Sequence, residues 1–171
     1  SAGTYNIPVV LHLSGELNDA ALRAALTDVV GRHESLRTLF PDVDGEPYQK
    51  IVDADLAVPR LQVVLTTPNQ VEREIERAAR AGFDLARELP VRGTLLSLSG
   101  TEHVLILVMH HIASDGGSAR PLAADLASAY TARLAGREPA WEPLPVQYAD
   151  YAAWHRELLG SPADPASRGV V

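Results

Sequence analysis

The stretch "VRGTLLSLSGTEHVLILVMHHIASDGGS", Val91 to Ser118, decides how this chain is read. It opens as a hairpin around Ser99-Gly100, and its second arm carries an unbroken apolar run from Val104 to Met109. A strand with one wet face alternates apolar and polar side chains, so an unbroken apolar run marks a strand covered on both faces. The second arm is therefore expected at the centre of a sheet. Where it gives out stand the adjacent histidines His110 and His111, followed three residues later by the turn Asp115-Gly116-Gly117.

Outward from this hairpin, strands and helices alternate. "YNIPVVLHLSGEL" reads as a strand with Val9, Leu11 and Leu13 on one side, ended by Ser14-Gly15. The next segment places Leu22, Leu26, Val29 and Val30 at helical spacing behind a cap at Asn18 or Asp19. "LRTLFPDVDGEPYQKIV" reads as two short strands around Asp44-Gly45, and "RLQVVLT" as another strand. Pro68 is expected to open a second helix with Val71, Ile75, Ala78 and Ala79 inward, and Gly82 to close it. A third helix follows the Asp-Gly-Gly turn, from about Ser118 to Leu134, and a fourth contains "VQYADYAAWHREL". This order implies an α/β (α+β) fold, a mixed β-sheet with helices packed against it. The histidines then sit at the mouth of the sheet, where scaffolds present reactive groups.

Composition limits what the motif can mean. With 171 residues, 46% of them hydrophobic and 22% charged, the chain can bury one ordinary core. A formal charge of −7 and the lack of a clustered basic face argue against nucleic acid. The basic residues are arginines apart from Lys50; they are scattered, and read as the mark of a GC-rich genome rather than of a binding patch. There are no cysteines, which removes disulfides, thiolate zinc sites and a Cys nucleophile and makes a reducing cytoplasm the expected compartment. The longest apolar run is too short to cross a bilayer, so no membrane is expected.

Three chemistries compete at the histidines. On an extended backbone His110 and His111 point to opposite faces and cannot share one ion, so a metal is not expected. Ser114 and Ser118 lie near a histidine, but the glycine-flanked GxSxG nucleophile turn is absent. General-base catalysis needs only one histidine facing a cavity, because an unperturbed imidazole titrates near neutrality. Asp115 is placed to fix the loop or the imidazole, and Gly116 and Gly117 let a substrate approach the backbone. On these residues alone, catalysis and a satisfied structural histidine pair both stay open.

"HHIASDGGS" carries HHxxxDG, and so resembles the signature of the chloramphenicol acetyltransferase-like acyltransferases, more narrowly of nonribosomal peptide synthetase condensation domains. "RHESLRTLF", Arg32 to Phe40, is similar to that family's RHExLRTxF segment, and "YADYAAWHREL", Tyr148 to Leu158, to its YxDYAxW helix. The opening "YNIPVVLHLSGELNDAALRAAL" is similar to the family's first strand and helix, so the resemblance runs from about residue 4 to 165.

That resemblance implies a domain of two acetyltransferase-like lobes forming a V around a tunnel. Donor and acceptor enter it from opposite faces on the phosphopantetheine arms of carrier domains. Residues 1–160 would be the N-terminal lobe and 161–171 a linker or frayed end. The first family motif and the C-terminal lobe would lie outside the chain, leaving the lobe alone inactive and without a bound cofactor. The reaction implied is amide formation between a carrier-bound acyl or peptidyl thioester and a carrier-bound amine.

In the residues, the resemblance implies that His111 faces the tunnel as general base or positioning group, and that the Gly116 N–H meets the thioester oxygen. His110 would be buried and structural, and Asp115 would pair with Arg37. A buried carboxylate is costly alone, and a guanidinium can answer it with two parallel hydrogen bonds. His33 and Glu34 are expected to finish the helix, and Tyr148, Asp150, Tyr151 and Trp154 to pack. His12, His103 and His155 are expected at the surface or an edge. Gly117 replaces an aromatic common in the family, which widens the channel or loosens the turn. A heterocyclisation domain would carry aspartates for the histidines, an epimerisation domain a differently placed aromatic, and a recruitment domain a damaged second histidine or glycine. Two readings remain: an acyltransferase lobe, and a non-catalytic carrier-binding module or other HHxxxDG acyltransferase.

Overall fold

The computed structural model of the chain describes residues 6–113 and 119–141. The expected fourth helix, the segment 161–171 and the turn residues Ser114 to Ser118 lie outside the described residues. The elements are β1 (Asn6–Ser14), α1 (Asp19–Arg32), β2 (Thr38–Leu39), β3 (Asp42–Val43), β4 (Glu46–Pro47), β5 (Lys50–Ile51), β6 (Arg60–Leu65), α2 (Val71–Arg80), β7 (Val91–Ser97), β8 (Glu102–His110) and α3 (Ala119–Leu134).

The main sheet has the order β1-β8-β7-β6, with β6 parallel to β7 and the other pairs antiparallel. It is therefore mixed, as expected, and β8 is internal. Residues 103 to 109 of β8 are all buried. Leu105, Leu107 and Met109 pack with Leu22, Leu26 and Val29 of α1 and Leu122 and Leu126 of α3. Val104, Ile106 and Val108 pack on the other face against Val71, Ile75 and Ala78 of α2. Each such side chain contributes about 1.5–3 kcal/mol by leaving water, so the unbroken apolar run is what fixes the strand between two helical layers. On β1, Val9, Leu11 and Leu13 join the α1/α3 side together, while Val10 turns to the α2 side.

The helix α1 starts where its sequence signals it. The Asn18 side chain accepts the Ala21 N–H at 3.0 Å, and Asp19 sits in the positive first turn. The segment between α1 and β6 is more divided than two strands: β3 and β4 form a tight hairpin, and β2 and β5 pair outside it. Asp44 and Gly45 both take positive φ, 52° and 82°, which is the twist a two-residue hairpin needs.

Helix α2 departs from expectation at both ends. Pro68 opens a single 3₁₀ turn, Pro68–Gln70, and the helix proper begins at Val71. Gly82 does not close it; the helix stops at Arg80 with Ala81 extended. Its last carbonyls are collected from the sheet instead. The Arg92 guanidinium of β7 donates to Ala78 O at 3.1 Å, to Gly82 O at 2.9 Å and to Ala81 O, and Asn6 Nδ2 of β1 donates to Ala79 O and Ala81 O at 2.8 Å. Side chains from two neighbouring elements thus satisfy the orphan acceptors that a glycine turn would otherwise cover.

Two acidic residues clasp α1 to α3. Asp28 accepts a fork from Arg133 at 2.8 and 2.6 Å, and Asp125 accepts Arg32 at 2.9 Å and His33 Nε2 at 2.7 Å. All five side chains are largely withdrawn from solvent, which strengthens charge-assisted bonds over exposed pairs. Asp125→Ala should lower stability by about 1.5–3 kcal/mol, seen as an earlier urea midpoint. An unchanged midpoint would show the clasp to be idle. Gly93 offers a second test, since a Cβ there would lie 2.9 Å from Leu61 Cδ1, 3.5 Å from Leu107 and 3.6 Å from Leu26. Gly93→Val should cost about 1–3 kcal/mol by overpacking. Gly93→Ala should cost less, because the nearest atom is a methyl on the edge strand β6 that can rotate away.

Candidate functional site at the end of the central strand

The last residue of β8 is held from several directions. The His110 N–H donates to Pro90 O at 2.9 Å, extending the β7 pairing by one residue. Register places the His110 side chain on the α2 side with Val104, Ile106 and Val108. Its ring meets Phe83 edge-on, with centroids 6.0 Å apart and planes at 83°. Its Nδ1 accepts the Ile112 N–H at 3.1 Å. That nitrogen must be unprotonated to accept, so the neutral ring carries its proton on Nε2. Burial, and then the neighbouring His111, lower the His110 pKa, which favours this neutral form.

The backbone turns immediately afterwards. His111 begins a 3₁₀ turn, His111–Ala113, and its side chain is exposed, whereas Ala113 is buried. The bond from Ile112 N–H to His110 Nδ1 closes this turn over the strand end. The two histidines therefore differ in exposure: His110 packs against the α2 layer, and His111, in the turn, is open to solvent. His110 is half-buried rather than fully buried, because the strand end leaves part of its ring uncovered. Asp115 and Gly116, the expected carboxylate and oxyanion donor, lie outside the described residues.

Arg37 ends the 3₁₀ turn Glu34–Arg37 that follows α1. Its Nε donates to Gly31 O at 3.3 Å and one terminal nitrogen to Val52 O at 2.8 Å, so the guanidinium joins the end of α1 to the segment after β5. The buried Thr38 donates its hydroxyl to Glu34 O at 2.7 Å, locking the same turn. His33 caps α1, as expected of it, and also reaches Asp125. Beside the site, at the same end of the sheet, Leu56, Val58 and Phe83 with Arg60, Arg87 and Arg92 line a cleft of about 500 Å³.

The sequence reading missed Phe83, Arg92 and Asp125. Asp125 had a signal: it interrupts the apolar stripe of α3 between Leu122 and Leu126. Arg92 had a weaker one, as a charge inside the apolar arm of the hairpin. One expectation is corrected: His103 is buried at the opposite end of β8, where Leu13 and Ser97 flank it, and its Nδ1 has no hydrogen-bond partner among the described residues. Its side chain follows the odd register of Leu105 and Leu107 into the α1/α3 layer. His12 is exposed, as expected, and His155 lies outside the described residues.

A family model, the condensation domain, matches residues 2–166. The chain is 52% identical over 164 residues to a dimodular nonribosomal peptide synthase of Bacillus subtilis (strain 168), covering 96% of this chain and 7% of that protein. The X-domain from teicoplanin biosynthesis superposes with a TM-score of 0.80 at 44% identity, over 91% of this chain and 34% of that one. A complex of the X-domain and OxyB from the same biosynthesis gives 0.79 at 44% identity over the same shares. The chain thus spans about a third of the solved chains and a small part of the curated relative. The sheet and its helical layers are the chloramphenicol acetyltransferase-like fold, and with the family model matching residues 2–166, the chain belongs to the condensation domain family of nonribosomal peptide synthetases.

Proposed function

We propose that this chain is the N-terminal lobe of a condensation domain that forms an amide between a carrier-bound acyl or peptidyl thioester and a carrier-bound amine. The exposure of His111 at the end of the most buried strand carries the reading: a rigid strand delivers one imidazole to open space while its neighbour is held inward. In the reaction His111 takes or orients the amine proton, and the Gly116 N–H receives the developing oxyanion. The resulting tetrahedral centre collapses with loss of the carrier thiolate. Phosphopantetheine arms bring both substrates, and the C-terminal lobe closes the tunnel. The setting is cytoplasmic, and no helix among the described residues is long and apolar enough to cross a membrane.

A second reading, a binding module that docks a partner without turnover, is favoured by the complex between the similar X-domain and OxyB. Carrier-bound donor and acceptor added to the complete domain discriminate the two, amide product supporting the first reading and binding without product the second. Amide product from the chain alone would sink the view that the lobe is incomplete.

In the complete domain, His111→Ala should reduce amide formation about 10²–10⁴-fold with the melting temperature nearly unchanged. Normal turnover in that variant would remove His111 from the chemistry. The proposed pairing of Arg37 with Asp115 is tested by a double-mutant cycle on stability. Coupling of about 1 kcal/mol or more supports the pair, and additive losses would mean that Arg37 serves only Gly31 and Val52.

A further inference from the structure

Arg92 and Phe83 form a unit that neither the motif nor the family match accounts for. The Arg92 guanidinium gathers the carbonyls at the C-terminal end of α2 and lies 4.1 Å from the centroid of the Phe83 ring. Phe83 in turn packs against His110 in a T-shaped pair, with centroids 6.0 Å apart. One cation therefore fixes the helix end, the ring that follows it in sequence, and through that ring the imidazole at the strand end. Burial and the His111 that follows in the turn both favour a neutral His110 ring. Glu88 and Arg60 act on Arg92 itself.

We propose that Arg92 and Phe83 are positioning residues: they set the orientation of the His110 ring, and with it the turn from which His111 projects. The reasoning is geometric. If the Phe83 ring moves, the His110 ring loses a packing contact that helps to fix its rotation, and the bond from the Ile112 N–H to its Nδ1 is weakened. The closing bond of the 3₁₀ turn then loosens at the point where His111 begins. Lysine cannot replace Arg92, because a compact ammonium offers neither the planar face that stacks on Phe83 nor a fork reaching several carbonyls. The consequence for turnover rests on the reading of His111 given above, whereas the consequence for His110 does not.

The test uses the 171-residue chain and long-range ¹H–¹⁵N spectra of its imidazoles, with Phe83→Leu, Arg92→Lys, the conservative Phe83→Tyr, and Leu126→Ala as a destabilised control far from the site. We expect His110 to show a single tautomer, protonated on Nε2, in the parent chain, in Phe83→Tyr and in Leu126→Ala. We expect mixed tautomers and faster Ile112 amide exchange in Phe83→Leu and Arg92→Lys. A His110 spectrum unchanged by those two substitutions overturns the proposal, and so does the same change in Leu126→Ala, which would make it general loosening. If Phe83→Leu fails to fold, Arg92→Lys against Phe83→Tyr decides the matter in the same way. In the complete domain, the two disruptive variants should lower kcat about 10–100-fold with KM little changed, as misplacement of a reacting group does. Tautomer mixing with normal kcat would leave the positioning of His110 standing and overturn its link to the turn that carries His111.

Discussion

Burial of β8 on both faces is the constraint on which the rest of the structure depends. One strand can be covered twice only if helices occupy both sides of the sheet and neighbouring strands take up its backbone groups. The chain meets both demands: α1 and α3 cover one face, α2 covers the other, and β1 and β7 pair along its length. The same burial gives the strand end its chemical use. A backbone held by packing on both faces cannot rotate at its last residue, so the direction of His110 is inherited from Val104, Ile106 and Val108. The direction of His111 then follows from the turn that starts there.

Arginine does much of the bracing around this core. Arg133 and Arg32 clasp α3 to α1 through Asp28 and Asp125, Arg37 binds the end of α1 to the segment after β5, and Arg92 closes α2. Arg133, Arg37 and Arg92 each use the planar guanidinium to reach two or more acceptor atoms at once. Scattered in sequence, these residues read as compositional bias; in space they sit where helices end or meet. The HHxxxDG and RHExLR segments are accordingly parts of a braced frame. His33 and Arg32 share Asp125 of α3, the helix that comes after the HHxxxDG segment in the chain.

The fold was legible because its strongest signals are local and physical. The run Val104–Met109, the stripe Leu22-Leu26-Val29-Val30 and the Asp44-Gly45 turn each allow one structure. The placing of His110 on the α2 side follows from strand parity, whereas His111 takes its direction from the 3₁₀ turn that it begins. What escaped the sequence was long-range: the capping of α2 by Arg92 and Asn6, the Asp125 clasp, and the Phe83–His110 contact join residues far apart in the chain. Gly82 misled because a glycine two residues past a helix usually marks a left-handed cap, and here side chains from the sheet meet the carbonyls instead. His103 misled because its polarity suggested the surface, while its register in β8 committed it to the interior.

The central claim is that the strand stays rigid up to its last residue and that freedom begins at His111. Native-state amide hydrogen exchange under increasing denaturant tests it most directly. The account predicts that the amides of Val104 to Met109, and of His110 bonded to Pro90, exchange only through global unfolding, with Ile112 next most protected and His111 less. Exchange of His110 and Ile112 by local opening, well before Ile106, would contradict it, because a frayed strand end could not direct either histidine.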